Sequence, residues 1–360
     1  MRFASKVTTL VILGSIFLTG CTEPEPEVTA TPTPTQTQTP EPEPEPVYEV
    51  APLTGVAYLE GENLFLQLPA VSAKIDNTNA GRPQLALNDA DIVYVTRVEA
   101  GLTRLLPVWH SSIPEAVGPV RSVRPVDAAI IHPYSGIFVY SGGQSPFKNA
   151  ARATGLVMSD EDTEMDNDTY FRNRDLRAPW NLFFKAKLLS ENYSEQQSAP
   201  VAHFEFDAIP TAVAQGTAAL GLGVKYPQTN SEWELGTAAF PWTQSPEAAW
   251  LRTQDGKEHV QTEGDRVAAK NVVVMEVKHD QSFVDPRYGV IPKAMLENSS
   301  GIVHVFSNGF YIKGTWSKGG SSEGIKLFTE SGEPLKLAIG NTWVEMMDSP
   351  RSVLTVELPE

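Results

Sequence analysis

The chain has 360 residues, a formal net charge of −16 and one cysteine, Cys21. A single thiol excludes a disulfide framework and a multi-cysteine metal site. The acidic balance argues against a nucleic-acid surface. The length is ample for one or two hydrophobic cores.

Taken in chain order, MRFASK supplies a short positive region and TTLVILGSIFLTG an apolar run. That run is shorter than the roughly 20 apolar residues a membrane span needs. Together they have the form of a secretory signal peptide over residues 1–20. It ends in Leu18-Thr19-Gly20-Cys21, which resembles a bacterial lipobox. In such signals the cysteine is lipidated and becomes the mature N-terminus. The expectation is therefore a chain anchored to the membrane through Cys21, on the extracytoplasmic face. Residues 21–50 alternate Pro, Thr and Glu with few large apolar side chains. That composition cannot bury enough surface to offset its ordering entropy, and proline keeps it extended, so it reads as a stalk.

Order is expected from Pro52 onward. VSAKID (71–76), DIVYVTRV (91–98), LTRLLPVWH (102–110, interrupted by Pro107) and SGIFVYSGG (135–143) read as strands. DIVYVTRV reads as half-buried. ALND, FKNAARATG and above all NLFFKAKLLSENY (181–193) read as helices, and residues 51–198 therefore as a mixed α/β domain. From 199 to 360 come short apolar runs separated by turn dipeptides. The strongest is HVFSNGFYIKGTW, where Asn308-Gly309 joins two aromatic and β-branched runs as in a hairpin. TAVAQGTAAL (211–220) reads as a helix before a mainly antiparallel β domain. The fold class is α+β, and ENYSEQQSAP (191–200) is the most linker-like boundary.

Metalloprotease, P-loop, nucleophile-elbow and dinucleotide-glycine signatures are all missing. The six histidines do not cluster, the acidic run DEDTEMDND (160–168) lacks the calcium-loop spacing, and neither a metal nor a cofactor is expected. What stands out is arginine. Between 82 and 177 there are Arg82, Arg97, Arg104, Arg121, Arg124, Arg152, Arg172, Arg174 and Arg177, against one lysine, Lys148. A planar guanidinium binds carboxylate or phosphate through a fork that lysine lacks. Either these arginines pair with nearby acids such as Asp76 and Glu99, or several line a cleft for an anion. In GPVRSVRP (118–125) the flanking prolines favour an extended segment. Arg121 and Arg124 then point to different sides, one to a pocket and one to the scaffold.

PLTG (52–55), KIDN (74–77), GRPQLALNDADIVY (81–94), VEAGLTR (98–104), GPVRSVRP, SGG (141–143) and RNRDLRAPWN (172–181) resemble the YerB-like family of bacterial lipoproteins. The resemblance continues through AAWLRTQDGKEH, NVVVMEV, NGFYIKGTW and GNTWVE. It implies two adjoining domains of unassigned function. The chain departs from the family pattern at Ala100, which argues against a positive φ there, and at Trp180, which stands where relatives carry histidine and suits packing or stacking. The leading expectation is binding of an anionic cell-envelope component, or a partner protein, through Arg82, Glu99, Arg104, Arg121, Arg124, Arg174, Arg177 and Asn181. The alternatives are an envelope hydrolase or transferase using Asp76 and Glu99 as a carboxylate pair, and a structural lipoprotein. The last would present an apolar patch from Trp233, Trp242, Trp250, Trp316 and Trp343.

Overall fold

The Ile92–Arg97 strand is buried along its whole length, not on one face as its partial alternation suggests. The reason is its position. It pairs in parallel with Thr342–Asp348 on one side and antiparallel with Thr103–Trp109 on the other. Ile92 and Tyr94 enter one core, Val93 and Val95 the other, as the two-residue period of a strand requires. A strand covered on both faces reads as a continuous apolar run.

The computed structural model describes Gly20, residues 45–164 and residues 168–360. Residues 1–19 of the expected signal peptide, Cys21 and residues 22–44 of the stalk lie outside them, as do residues 165–167 of the acidic run. Pro46–Glu360 form one compact unit. All four hydrophobic clusters lie inside it, so this part carries its own folding determinants.

Among the described residues, the main sheet has twelve strands. From one edge they run Thr217–Ala218, Phe310–Lys318, Ser299–Ser307, Asn271–Val277, Thr342–Asp348, Ile92–Arg97, Thr103–Trp109, Val71–Ala73, Ile137–Val139 and Val157–Ser159. Lys326–Thr329 and Ile75–Asp76 pair off this path. The sheet thus crosses from one half of the chain to the other. Its joint is Thr342–Asp348, held in parallel between Asn271–Val277 and Ile92–Arg97. Pro107 is accommodated because the break between Val71–Ala73 and Ile75–Asp76 falls opposite it, where a missing N–H costs no ladder bond.

Helices Asp127–Ile131 and Ser145–Arg152 pack on one face of this sheet. A second, antiparallel sheet covers the other. It contains Gly221–Lys225, Asn230–Ala238, Glu247–Gln254 and Val353–Glu357. Hairpin Ser299–Ser307/Phe310–Lys318 turns at Asn308 and Gly309, both with positive φ, as the Asn-Gly pair predicts. Two helices are shorter than their sequence suggests. Residues 181–193 give strand Leu182–Phe184 before helix Ala186–Asn192, and 211–220 give helix Thr211–Gln215 before strand Thr217–Ala218. ALND forms a turn. In the first two cases strand pairing, with Tyr170–Arg172 and with Phe310–Lys318, overrides local propensity. Four of the five tryptophans considered for a surface patch (Trp233, Trp250, Trp316 and Trp343) are buried, so they do not form one.

The two sheets are joined by a buried charged cluster. Glu345 accepts from Tyr226 Oη at 2.8 Å and Trp233 Nε1 at 3.3 Å, and from Ser231 Oγ. The Arg252 guanidinium lies 3.8 Å from Glu345 and 4.9 Å from the centre of the Trp343 ring. Its Nη1 is 2.6 Å from His259 Nδ1, and His259 Nε2 is 2.7 Å from Gln84 Oε1. Burial, reinforced by the Arg252 and Arg82 charges, holds the His259 pKa well below its ordinary value. The neutral ring therefore accepts from Arg252 through Nδ1 and donates to Gln84 through Nε2.

Removing one partner of such a cluster leaves a charge buried and unpaired. Arg252→Ala should lower stability by about 3–5 kcal/mol, read by urea unfolding of the Pro46–Glu360 portion. Because the main sheet spans both halves, parent and variant should each unfold in one transition. Two separate transitions would contradict the shared sheet.

Candidate functional site

The cleft is built outward from the hairpin joining Ile92–Arg97 to Thr103–Trp109. The turn holds Ala100 at φ 55, ψ 19 and Gly101 at φ 73, closed by Val98 N donating to Leu102 O at 2.8 Å. Ala100 therefore does adopt a positive φ, contrary to the sequence reading. The Arg97–Thr103 register leaves the turn few residues, and the left-handed conformation costs a non-glycine residue about 1–2 kcal/mol.

This turn aims Glu99 at two arginines. Its Oε1 accepts from Arg104 Nη2 at 3.2 Å, and its Oε2 from Arg124 Nε at 2.7 Å. Arg124 Nη2 also reaches Oε1, completing a fork. Burial acts to raise the Glu99 pKa, but the Arg124 hydrogen bond and the charges of both arginines outweigh it and bring it down to about 2. Arg104 also donates to Ser122 O at 3.1 Å, and burial beside Arg124 brings its pKa down to about 10. Arg124 is anchored by its main chain too, with its N–H donating to Asp127 Oδ2 at 2.6 Å. The other Asp127 oxygen accepts from the fully buried Lys74 at 2.7 Å. Burial lowers the Lys74 pKa, and Asp127 opposes the shift.

Arg121 is held differently. Its Nε lies 2.7 Å from Asp76 Oδ2, yet neither atom has an aligned hydrogen bond, so this is a charge contact. Nη1 donates to Pro179 O at 3.2 Å, and the guanidinium stands 5.9 Å from the Trp180 ring centre, within cation–π range. Its side chain is 19% exposed, whereas Asp76 behind it is 1% exposed. Asp76 Oδ1 is fixed by Thr78 N at 2.6 Å. Gly81 makes room for this carboxylate, because a Cβ there would come within 2.5 Å of Asp76 Oδ1.

A cleft of about 580 Å³ opens over these groups. Glu99, Arg104, Arg121, Ser122 and Arg124 form one side, Gly143, Gln144 and Pro179 another, and Asp285, Arg287, Tyr288 and Ile291 close it from the second half of the chain. Gly143 has φ +135, and a Cβ would meet Val123 Cγ1 at 2.5 Å, so only glycine lets the backbone approach there. Among the described residues, neither the Gly143 nor the Gln144 N–H makes a backbone hydrogen bond. Gln144 donates to Asp285, whose other oxygen accepts from the Arg287 and Tyr288 N–H groups at 2.7 Å each. Arg287 is exposed, lies 5.1 Å from the Tyr288 ring centre and has no ion pair among the described residues.

Of the predicted residues, Glu99, Arg104, Arg121 and Arg124 come together, with Asp76 directly behind. Both members of the Arg121/Arg124 pair line the cleft. What separates them is how far each is already engaged, with Arg124 clamped by Glu99 and Arg121 keeping Nη2 free among the described residues. Arg82 lies outside, bound to Asp255 at 2.9 Å and Gln254 O at 3.1 Å. Arg174 and Arg177 are exposed on the loop before Pro179, and the Asn181 side-chain oxygen accepts from Arg172 at 3.0 Å. Sequence reasoning missed Gln144, Asp285, Arg287 and Tyr288. Only the turn residues DPRYG mark that hairpin, and nothing in them points to the arginine span. A second concavity, of about 510 Å³, carries Glu232, Glu234 and Glu357 and has the wrong charge for an anion.

Asp76 and Glu99 are each committed to arginine. A carboxyl with a pKa near 2 has no proton to give at neutral pH, so this geometry lends no support to an acid/base pair.

Two halves of one family description match the chain. The N-terminal domain of the "Protein of unknown function (DUF3048)" family matches residues 53–199, and its C-terminal domain matches residues 227–344. The chain belongs to this family. It is 27% identical over 304 residues to "Putative lipoprotein YerB" of Bacillus subtilis (strain 168), covering 82% of this chain and 86% of that protein. The crystal structure of YerB from Bacillus subtilis superposes with a TM-score of 0.69 at 22% identity, covering 85% of this chain and 99% of that one. That likeness shows the fold.

Glu99 also gives a pH test. Its folded pKa, about 2, lies below its ordinary 4.5. Its stabilising contribution is therefore complete above about 4.5 and lost as pH falls through about 2. Glu99→Gln should cost about 3 kcal/mol at neutral pH by leaving two arginines uncompensated. Urea unfolding from pH 7 to 2 should show the gap between parent and variant closing. A pH-independent gap would contradict the ion-pair assignment.

Proposed function

We propose that the chain is an extracytoplasmic lipoprotein, held to the membrane through lipidated Cys21, whose arginine cleft binds an anionic component of the cell envelope. Four arginines line the cleft against Glu99 and Asp285. The observation that carries the reading is the unequal engagement of those arginines. Glu99 is shared by Arg104 and Arg124 and fixes both as scaffold, while Arg121 and Arg287 keep donors for a ligand. The Gly143 and Gln144 N–H groups add a backbone cradle of the kind anions occupy. Carboxylate and phosphate both suit a guanidinium fork. The lipid anchor agrees with the Leu18–Cys21 pattern and with the printed name of the Bacillus relative. Among the described residues no helix is long and apolar enough to cross a membrane.

Binding of the Pro46–Glu360 portion to isolated cell-wall fragments tests it. Arg121→Ala and Arg287→Ala should each weaken binding about tenfold or more, the worth of one hydrogen bond to a charged group. Lys257→Ala, exposed on the second sheet, should leave it unchanged. Folded arginine variants that bind as the parent does would refute the placement.

A further inference from the structure

On the other side of the Pro179–Trp180 wall lies a slot of about 210 Å³, lined largely by apolar side chains, among them Leu85, Phe171, Leu176, Trp180 and Phe183. It is smaller than the roughly 300–1,000 Å³ of sites that enclose a drug-sized ligand, and suits one short chain or one ring. Its wall is built. Phe171 and Phe183 stack at 5.7 Å, and Gly118 lies so close beneath Phe183 that a Cβ would come within 2.4 Å of the ring. The slot and the arginine cleft share a partition, with Pro179 lining one and Trp180 the other. Arg121 bridges them, donating to Pro179 O and lying over the Trp180 ring. Arg174 and Arg177 stand exposed on the same loop against one acid, Asp175, so the net charge around the slot favours an anion over a neutral or cationic guest.

Resting on the anion-binding reading above, we infer that the ligand is amphipathic: a short apolar chain or ring seats in the slot against Trp180, and its attached anionic head lies at Arg121. The slot would then set specificity among anions that the cleft alone treats alike. Among the described residues, Arg121 alone of the arginines lining the cleft also contacts Trp180, which suits it to this.

The test is calorimetric titration of the Pro46–Glu360 portion with inorganic phosphate, hexyl phosphate and hexanol. Each methylene fully removed from water is worth roughly fourfold in affinity. With partial burial, hexyl phosphate should bind at least about tenfold more tightly than phosphate, and hexanol should bind much more weakly than hexyl phosphate. Ala80 lines the slot from an exposed turn, so Ala80→Trp fills it with little demand on the core. Leu176→Ser removes apolar wall from a partly exposed position. Both variants should lose the hexyl advantage and keep the phosphate affinity, whereas Arg121→Gln should weaken both phosphates. If phosphate binds but hexyl phosphate gains nothing, or the gain survives both slot variants, the slot inference fails and the anion cleft stands. If neither phosphate binds, and acetate and hexanoate titrated in the same way do not bind either, both readings fall.

Discussion

Two guanidinium groups repel when they share a largely dry wall, and the repulsion grows as water is excluded. Glu99 resolves this by accepting from Arg104 and Arg124 at once. The carboxylate stays ionised far below neutral pH because of those contacts. Arg124 in turn reaches Asp127 through its main chain, and Asp127 holds Lys74. A chain of alternating charge therefore runs from the buried sheet to the cleft surface. Its consequence is positional. With the inner arginines held by Glu99, Arg121 is backed by Asp76 and Pro179 O and keeps Nη2 unpaired, and Arg287 makes no ion pair, among the described residues.

The second constraint is topological. Thr342–Asp348, near the C-terminus, inserts in parallel beside Ile92–Arg97. That pairing joins the two halves into one sheet and brings the Val284–Val290 hairpin beside the Glu99 turn. The cleft is thus a product of both halves, with Arg121 from the first and Arg287 from the second. The Glu345–Arg252–His259 cluster does similar work on the opposite face, fastening the second sheet to the first. Buried ion pairs of this kind contribute little net stability compared with apolar packing, but losing one member is costly.

Much of the local structure was legible from sequence. The Asn308-Gly309 hairpin, the strands around Val95 and Leu105, and the concentration of arginine could all be read because turn chemistry, strand period and side-chain geometry are local properties. Pairing is not local. The parallel joint at Thr342–Asp348 links residues some 250 apart in sequence, and no turn signal announces it. Arg287 was missed for the same reason. Residues 181–184 read as helix because an apolar run has no strand character until it finds a partner, here Tyr170–Arg172. Ala100 misled in the other direction: its departure from the family pattern argued against a left-handed residue, and the hairpin register imposed one. Arg121 and Arg124 were distinguishable in principle as unlike neighbours, but the acid that clamps Arg124 could be assigned only once the Glu99 turn was placed.

The central claim is that Arg121 and Arg287 receive the anion while Arg124 remains bound to Glu99. The most direct measurement is a phosphate titration of arginine-labelled Pro46–Glu360, followed through the guanidinium resonances by NMR. The account predicts saturable shifts at Arg121 and Arg287 with Arg124 unmoved. Shifts at Arg124 with Arg121 and Arg287 unaffected would contradict it.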